Sequence, residues 1–221
     1  MTTRRLPLFP LPLVLFPGVP LPLHIFEPRY RIMLADCLEG DREFGIAFRP
    51  DGVAERDLPS GHVGCVARVE TTELLPDGRS NVIVRGTDRF AIDRYLDSTR
   101  PYYVAEASSY DDADEPPLTL APGATRVREL FLRVGTAART IQDDPDALPI
   151  LPDDPALLAF AVAALIEMDA PARQRLLMSR SPSGRLREIE LLLSPAVDSL
   201  ERRATVHVRA KSNGHGPHPG A

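Results

Sequence analysis

Lysine is almost absent from this chain of 221 residues, since Lys211 is the only one. A Walker A phosphate loop needs Gly-Lys-Ser/Thr, and a Schiff base or a Ser-Lys dyad needs a lysine in an ordered site. The chain also lacks the Gly-x-Ser-x-Gly and His-Glu-x-x-His patterns of hydrolases and metallopeptidases. These absences predict that the protein is not an enzyme.

Cysteine is scarce as well, with only Cys37 and Cys65. A zinc site usually needs four ligands in short-spaced pairs, and two cysteines in separate apolar segments do not supply them. We expect buried free thiols, no metal and no cofactor. Free thiols are typical of a reducing compartment, which favours a cytoplasmic location.

A concentrated basic face is missing too. The net charge is −5, and acidic and basic residues are interleaved along the chain. Phosphate binding needs clustered cations, so the sequence predicts no nucleic-acid partner.

The N-terminal run 6–26 contains no Asp, Glu, Lys or Arg and could be mistaken for a signal peptide or a membrane anchor. Proline inside a helix costs about 3 kcal/mol, because it removes an amide donor and clashes with the preceding turn. We therefore expect short extended segments here, and no membrane partner. The interrupting residues are Pro7, Pro10, Pro12, Pro17, Pro20 and Pro22.

The N-terminal half shows the alternation of apolar residues that is typical of strands. Pro76-Asp77-Gly78 predicts the turn of a hairpin. We expect Gly18 and Gly86 to adopt backbone conformations forbidden to residues with a Cβ, with Gly86 in a bulge, and we expect Phe26 and Phe90 in the core. The pattern predicts strands near 6–11, 21–25, 44–48, 63–69, 82–92 and 102–107, and a helix from near Pro28 to near Gly40.

The C-terminal half changes to helical spacing, which predicts a small helical bundle with a buried leucine-rich core. The apolar stripes are Val127–Ile141, Leu157–Ile166, Ala172–Met178 and Leu186–Leu200, and a weak alternation at Thr205–Arg209 would allow a strand. The predicted fold class is thus α+β. Its parts are a β-rich subdomain at 1–112, an acidic linker at 113–122, a helical bundle at 123–201 and a disordered tail at 202–221.

Six short segments together resemble the N-terminal, substrate-binding domain of Lon proteases. The first is Leu-Pro-Leu-Phe-Pro-Leu at 6–11, followed by Val-Leu-Phe-Pro-Gly at 14–18 and by Leu-Pro-Leu-His-Ile-Phe-Glu-Pro-Arg-Tyr at 21–30. The later pair is Gly-Cys-Val-Ala-Arg-Val at 64–69 and Leu-Pro-Asp-Gly-Arg at 75–79, followed by Val-Arg-Gly-Thr-Asp-Arg-Phe at 84–90. The resemblance covers roughly residues 4–195.

The resemblance implies a β-rich pseudo-barrel with one inserted helix, followed by a helical bundle. It also implies a free-standing protein- or peptide-binding module without the ATPase and peptidase domains of the protease. The partner would be a protein or an unfolded polypeptide segment, and the oligomeric state is left open. A structural or oligomerisation module is the alternative, and a small hydrolase is a weaker one.

Four charged residues and one tyrosine beside the apolar strand ends are the candidates for a peptide-binding rim. Arginine binds carboxylates and carbonyls through a fixed fork, so these residues suit either the polar rim of a groove or internal ion pairs that hold the first helix to the sheet. Both interpretations stay open. The candidate residues are Glu27, Arg29, Tyr30, Arg85 and Arg89.

Overall fold

The computed structural model describes residues 3–213, apart from the side chains of Ser212 and Asn213. It has the predicted α+β class, with six strands and five helices in the described residues. The strands are β1 (Thr3–Leu11), β2 (Pro20–Ile25), β3 (Glu43–Phe48), β4 (Val63–Leu74), β5 (Ser80–Leu96) and β6 (Val104–Ser109). The helices are α1 (Pro28–Glu39), α2 (Pro117–Gln142), α3 (Pro155–Leu165), α4 (Ala170–Met178) and α5 (Pro182–Asn213), with a short 3₁₀ turn at Glu55–Asp57.

The chain divides into two compact units. The first consists of Met1–Ala113 and Ala163–Arg180, and the second of Asp114–Val162 and Ser181–Ala221. Helix α4 therefore belongs with the strands, although its apolar stripe predicted a place in the bundle. A contact inside the first unit accounts for this, because the Gln174 side-chain amide donates to the carbonyl of Val63 at 2.8 Å.

The sheet of the first unit closes on itself. Its strands follow the order β2-β5-β4-β3-β1-β6, and a further β5–β6 pairing joins the two ends of β5-β4-β3-β1-β6 into a ring. Only β1 and β3 are parallel among these pairs. We call these five strands the ring. Outside it, β2 pairs with residues 80–85 of β5, and residues 80–84 pair in turn with residues 69–74 of β4. We call these three segments the sheet extension.

The ring is filled by apolar side chains around Phe90, which is buried as predicted. Two glycines make room for its ring, because a Cβ on Gly45 would lie 2.7 Å from Phe90 Cζ and one on Gly64 would lie 2.5 Å from the same atom. The core around Phe90 comprises Leu6, Leu8, Ala47, Leu58, Val66, Ile92, Ala105 and Ala107.

Two glycines were expected to adopt backbone conformations that are forbidden to residues with a Cβ. One of them, Gly18, does so. Gly18 has φ 78°, as predicted. Gly86 does lie at a register shift in the β4–β5 pair, but the prediction of a positive φ for it is wrong. Glycine is required at position 86 because the backbone of Phe16 lies close to it. A Cβ on Gly86 would collide with the carbonyl oxygen of Phe16.

Helices α2 and α5 form the main contact of the second unit. Two ion pairs link the two helices, Arg126 with Glu190 at 3.5 Å and Arg133 with Glu201 at 2.8 Å. Because both partners advance together along the chain, the helices run in the same direction. The predicted stripes face inward, with Val127 and Ile189 fully buried.

The predicted ends of the helical region need correction. Helix α2 begins inside the expected linker, because Pro117 is tolerated in the first turn of a helix. Helix α5 continues to Asn213, so the strand at Thr205–Arg209 is wrong, as is disorder at 202–213; residues 214–221 lie outside the described range. Asp143 supports the extra turns by accepting from His207 Nε2 at 3.0 Å and by pairing with the ammonium of Lys211.

No helix within residues 3–213 is long and apolar enough to cross a membrane. Cys37 and Cys65 are buried and free, as predicted. Burial raises the pKa of the Cys37 thiol to about 12, and it raises the pKa of Cys65 as well, so neither thiol is poised to react.

Candidate functional site

Three of the five candidate residues lie together at the start of α1. The Arg29 guanidinium donates to Glu27 Oε2 at 2.9 Å and to the two oxygens of Glu55 at 2.6 and 2.8 Å. The Tyr30 hydroxyl donates to Glu55 Oε2 at 3.1 Å. The hydrogen bond with Glu55 raises the pKa of Arg29, and burial raises the pKa of Tyr30. Glu55 is therefore the centre of this cluster.

No sequence pattern marks Glu55 as a candidate residue. It lies in a 3₁₀ turn between β3 and β4, in a stretch without regular periodicity, and its partners are 25 and 26 residues away. The Tyr95 hydroxyl donates to the Glu55 carbonyl at 2.6 Å and holds the turn from the other side. Such a closed set of partners fits the interpretation that these residues fasten α1 to the sheet.

Arg89 is deeply buried, with a side chain only 4% exposed. Its Nη1 donates to the carbonyls of Leu177 and Ser179, both at 2.7 Å, and its Nη2 is paired with Asp112. The two carbonyls lie at the C-terminal end of α4, where cations and donors satisfy otherwise unpaired groups. This geometry favours a structural role for Arg89, and it is the contact that joins β5 to α4.

Arg85 lies on the same strand as Arg89, but its side chain is 45% exposed. Its Nε donates to Glu70 Oε1 at 2.5 Å, and its Nη1 donates to the carbonyl of Gly18 at 2.9 Å. The structure thus places Arg85 on the sheet extension, with partners that differ from those of the Arg29 and Arg89 clusters.

The solvent-facing side of the sheet extension carries a chain of polar contacts. His24 Nδ1 lies 2.8 Å from Asn81 Oδ1, and the Asn81 amide donates to Glu73 Oε2 at 3.0 Å. These three residues are directly paired across β2, β5 and β4. The register therefore sets them in one row, and the hydrogen bonds fix their rotamers.

Apolar groups flank this row. Ile83 is 42% exposed, and Phe26 is 58% exposed with its ring stacked on His24 at a centroid distance of 6.1 Å. The prediction that Phe26 belongs to the core is wrong, because Ile25 is the last residue of β2 to point inward and strand alternation sends the next side chain out. The alternation at 20–25 and 80–85 is the sequence signal that could have revealed this face.

A cavity of about 440 Å³ makes this face concave. Its lining mixes apolar side chains with fixed hydrogen-bonding groups, a composition that also occurs in protein interfaces. No group of His, Cys, Asp and Glu side chains in residues 3–213 could hold a metal ion. The cavity is lined by Pro22, Leu23, His24, Thr71, Thr72, Glu73, Asn81, Val82 and Ile83.

The chain is similar to one family over most of its length. Residues 5–194 match the model of the ATP-dependent protease La (LON) substrate-binding domain. It is 30% identical over 203 residues to Lon protease 2 of Herpetosiphon aurantiacus, covering 90% of this chain and 25% of that protein. It is 24% identical over 212 residues to Lon protease of Solibacter usitatus, covering 95% of this chain and 26% of that protein. The chain therefore spans about a quarter of the length of these relatives.

Solved structures show the same architecture. A Lon N-terminal domain protein from Xanthomonas campestris superposes with a TM-score of 0.59 at 28% identity, over 84% of this chain and 96% of that one. The N-terminal domain of Lon protease from the Mycobacterium avium complex superposes with a TM-score of 0.64 at 19% identity, over 86% of this chain and 98% of that one. The second likeness concerns the fold alone.

Proposed function

Because the chain belongs to the family of the ATP-dependent protease La (LON) substrate-binding domain, we propose that it is a non-enzymatic module that recognises protein or unfolded polypeptide segments. The observation that carries this proposal is the uncovered face of the sheet extension, where Phe26 and Ile83 are exposed beside a row of fixed polar groups. Exposed aromatic and aliphatic side chains around oriented hydrogen-bonding groups are typical of sites that bind other proteins. The two buried free thiols support a cytoplasmic location.

Among the five candidate residues, we assign a binding role to Arg85 at the margin of the concave face. Its exposed side chain lies two positions from Ile83 on the same side of β5, and its backbone contact with Gly18 orients it. Arg29, Glu27 and Tyr30 support the site indirectly by fastening α1. Arg89 supports it through α4, because its donors are engaged inside the protein.

The test measures binding to reduced, carboxymethylated α-lactalbumin, which cannot refold, by fluorescence anisotropy. We expect micromolar affinity, since ordering a flexible segment offsets much of the contact energy. Replacing Phe26 and Ile83 together by serine should weaken binding about tenfold, with less than about 1 kcal/mol lost in stability because both side chains are exposed.

The matched control is Leu191→Ser, which removes an exposed leucine from α5. This variant should bind like the unmodified protein. Absence of binding by the unmodified protein would contradict the proposal, and equal weakening by both variants would contradict the assigned face. Turnover of ATP or casein that persists through purification would contradict the non-enzymatic part.

A structural or oligomerisation module is the second candidate, and the exposure of Leu191 and Leu192 on α5 favours it over a small hydrolase. Sedimentation velocity distinguishes an oligomerisation module from a module that binds polypeptides. A stable dimer without affinity for the unfolded probe supports this second function.

A further inference from the structure

The sheet extension has two outer edges, one on β2 and one on β4, and they differ in the backbone groups that they present. An edge strand carries amides and carbonyls that a further strand can pair with. In an antiparallel ladder, successive residues point these groups alternately toward the neighbouring strand and away from it. The hydrogen bonds at the ends of the extension show which residues point outward on each edge.

The β2 edge is closed to a further strand. The Gly86 amide donates to the Val19 carbonyl at 3.0 Å, so Val19 faces β5 and, by alternation, Pro20, Pro22 and His24 face away. Proline has no amide hydrogen, and proline on an edge strand blocks pairing. Of these three residues, only His24 has a backbone amide hydrogen that it can donate to an added strand.

The β4 edge is open over a short stretch. At the tip of the extension the Leu75 amide donates to the Arg79 carbonyl at 2.8 Å, so the backbone groups of Leu75 point toward β5. By alternation, those of Glu73 also point toward β5, and those of Thr72 and Leu74 point away from it. Val69 marks the other limit, because its amide donates to the Arg42 carbonyl at 2.9 Å. Among the described residues, no strand pairs with β4 on this side beyond Val69.

The side chains around this open edge are exposed as well. Leu74 is 74% exposed although it lies on the side of the sheet that carries buried Ile25 and Ser80. Glu73 points to the concave side, where Asn81 holds its carboxylate. A strand added here would meet an apolar group on one of its faces and a fixed carboxylate on the other.

We propose that residues 71–74 of β4 form a strand-addition site for an extended polypeptide segment in which basic and apolar residues alternate. The inference rests on the proposed function and specifies its mode and its partner. Only an extended backbone matches the alternating donors and acceptors of Thr72 and Leu74. Opposite charges on adjacent strands attract, so a basic residue fits beside Glu73, and an apolar residue fits beside Leu74.

The test uses two fluorescein-labelled nonapeptides, one alternating valine with lysine and the other alternating valine with glutamate. Thr72→Pro removes one outward amide and leaves the β5 ladder intact, as Pro22 does on β2. Thr72→Val is the matched control, because it keeps the amide and the branched side chain. We expect the lysine peptide to bind the unmodified protein and Thr72→Val alike, and Thr72→Pro about tenfold more weakly.

A second comparison tests whether binding requires basic residues in the peptide. The glutamate peptide should bind several-fold more weakly than the lysine peptide, and Glu73→Gln should reduce that difference. Amide hydrogen exchange is a second measurement that does not depend on the proline variant folding. The Thr72 and Leu74 amides should exchange fast in the free protein and slowly with the lysine peptide bound.

The outcomes separate this inference from the proposed function. Binding of carboxymethylated α-lactalbumin with unchanged exchange at Thr72 and Leu74 would overturn strand addition and leave protein recognition standing. No binding of either probe would overturn both. A dimer that Thr72→Pro abolishes would mean that a second copy occupies the edge, and equal binding of the two peptides would overturn the charge pattern.

Discussion

The ring and the sheet extension share β4 and β5, yet they differ in how their polar groups are used. In the ring, Arg89 is buried and its donors are engaged with α4 and Asp112. In the extension, Arg85 is half exposed, and a row of polar side chains faces solvent. Two arginines on one strand thus have different surroundings, because α4 covers the end of β5 that carries Arg89 while the end that carries Arg85 stays exposed.

The largest expected effect comes from breaking the buried contact of the ring. Arg89→Met should destabilise the protein by about 3–5 kcal/mol, because it removes a buried guanidinium that binds Asp112 and the carbonyls of Leu177 and Ser179. Chemical denaturation measures the loss. A cost below about 1 kcal/mol would show that the buried position of Arg89 contributes little to the fold.

The same contact predicts the behaviour of a truncated protein. A chain of residues 1–112 loses α4 and with it the carbonyl partners of Arg89, so we expect it to melt at a lower temperature than the whole chain. Equal melting temperatures would show that the strands are stable without Ala163–Arg180.

The next effect concerns the close backbone approach at Gly86. Even alanine there should cost about 2–3 kcal/mol, because its Cβ would collide with the Phe16 carbonyl, which is backbone and cannot rotate away. Gly52→Ala is the control, since Gly52 has φ 79° but no atom within 4 Å of a Cβ, and it should cost only about 1 kcal/mol. Thermal melts of the two variants test whether steric contact outweighs backbone strain.

A third effect involves Glu43, a nearly buried carboxylate in the ring. Burial alone would raise its pKa, but hydrogen bonds from Arg4 and Arg68 outweigh burial and lower the pKa below the usual 4.5. A lowered folded-state pKa adds stability above about pH 4.5, and that stability is lost as the pH falls through the lowered value. Glu43→Gln should cost about 2 kcal/mol at pH 7, and the difference from the unmodified protein should shrink at acidic pH.

Denaturation midpoints at pH 7 and pH 3 measure this change. We expect the stability difference between Glu43→Gln and the unmodified protein to be smaller at pH 3 than at pH 7. A difference that does not depend on pH would mean that Glu43 acts through packing rather than through its charge.

The smallest effect on stability is expected in the extension. Arg85→Met should cost less than about 1 kcal/mol, because its ion pair with Glu70 is exposed and screened by solvent. Binding of the unfolded probe should nevertheless weaken. Comparing Arg85→Met with Arg89→Met tests the contrast between the two regions, and it would fail if both variants lost stability equally.

Local patterns in the sequence predicted much of the fold. Alternation located the six strands, and the helical stripes located α2 to α5, because burial on one face imposes a period on the chain. The ends of α2 and α5 were misplaced. The contacts of His207 and Lys211 with Asp143 stabilise the last turns of α5, and these partners are 64 and 68 residues apart in sequence.

The candidate site was less predictable than the fold. The motif around Glu27, Arg29 and Tyr30 marked a real cluster, but its central residue, Glu55, comes from a turn without a pattern. Phe26 looked like a core residue because it follows an apolar strand. Its exposure depends on where β2 ends and α1 begins. A shift of one residue in the strand would turn the Phe26 side chain inward.

The sequence by itself determined the α+β class, the order of the strands and helices, and the absence of a phosphate-loop lysine, since each depends on local periodicity or on residue identity. The tertiary structure decided which arginine is buried, why Gly86 must be glycine, and which edge of the sheet extension is open. These properties depend on the contact of Arg89 with α4, on the approach of the Phe16 backbone and on the direction of individual amides. All three follow from contacts between residues far apart in the chain.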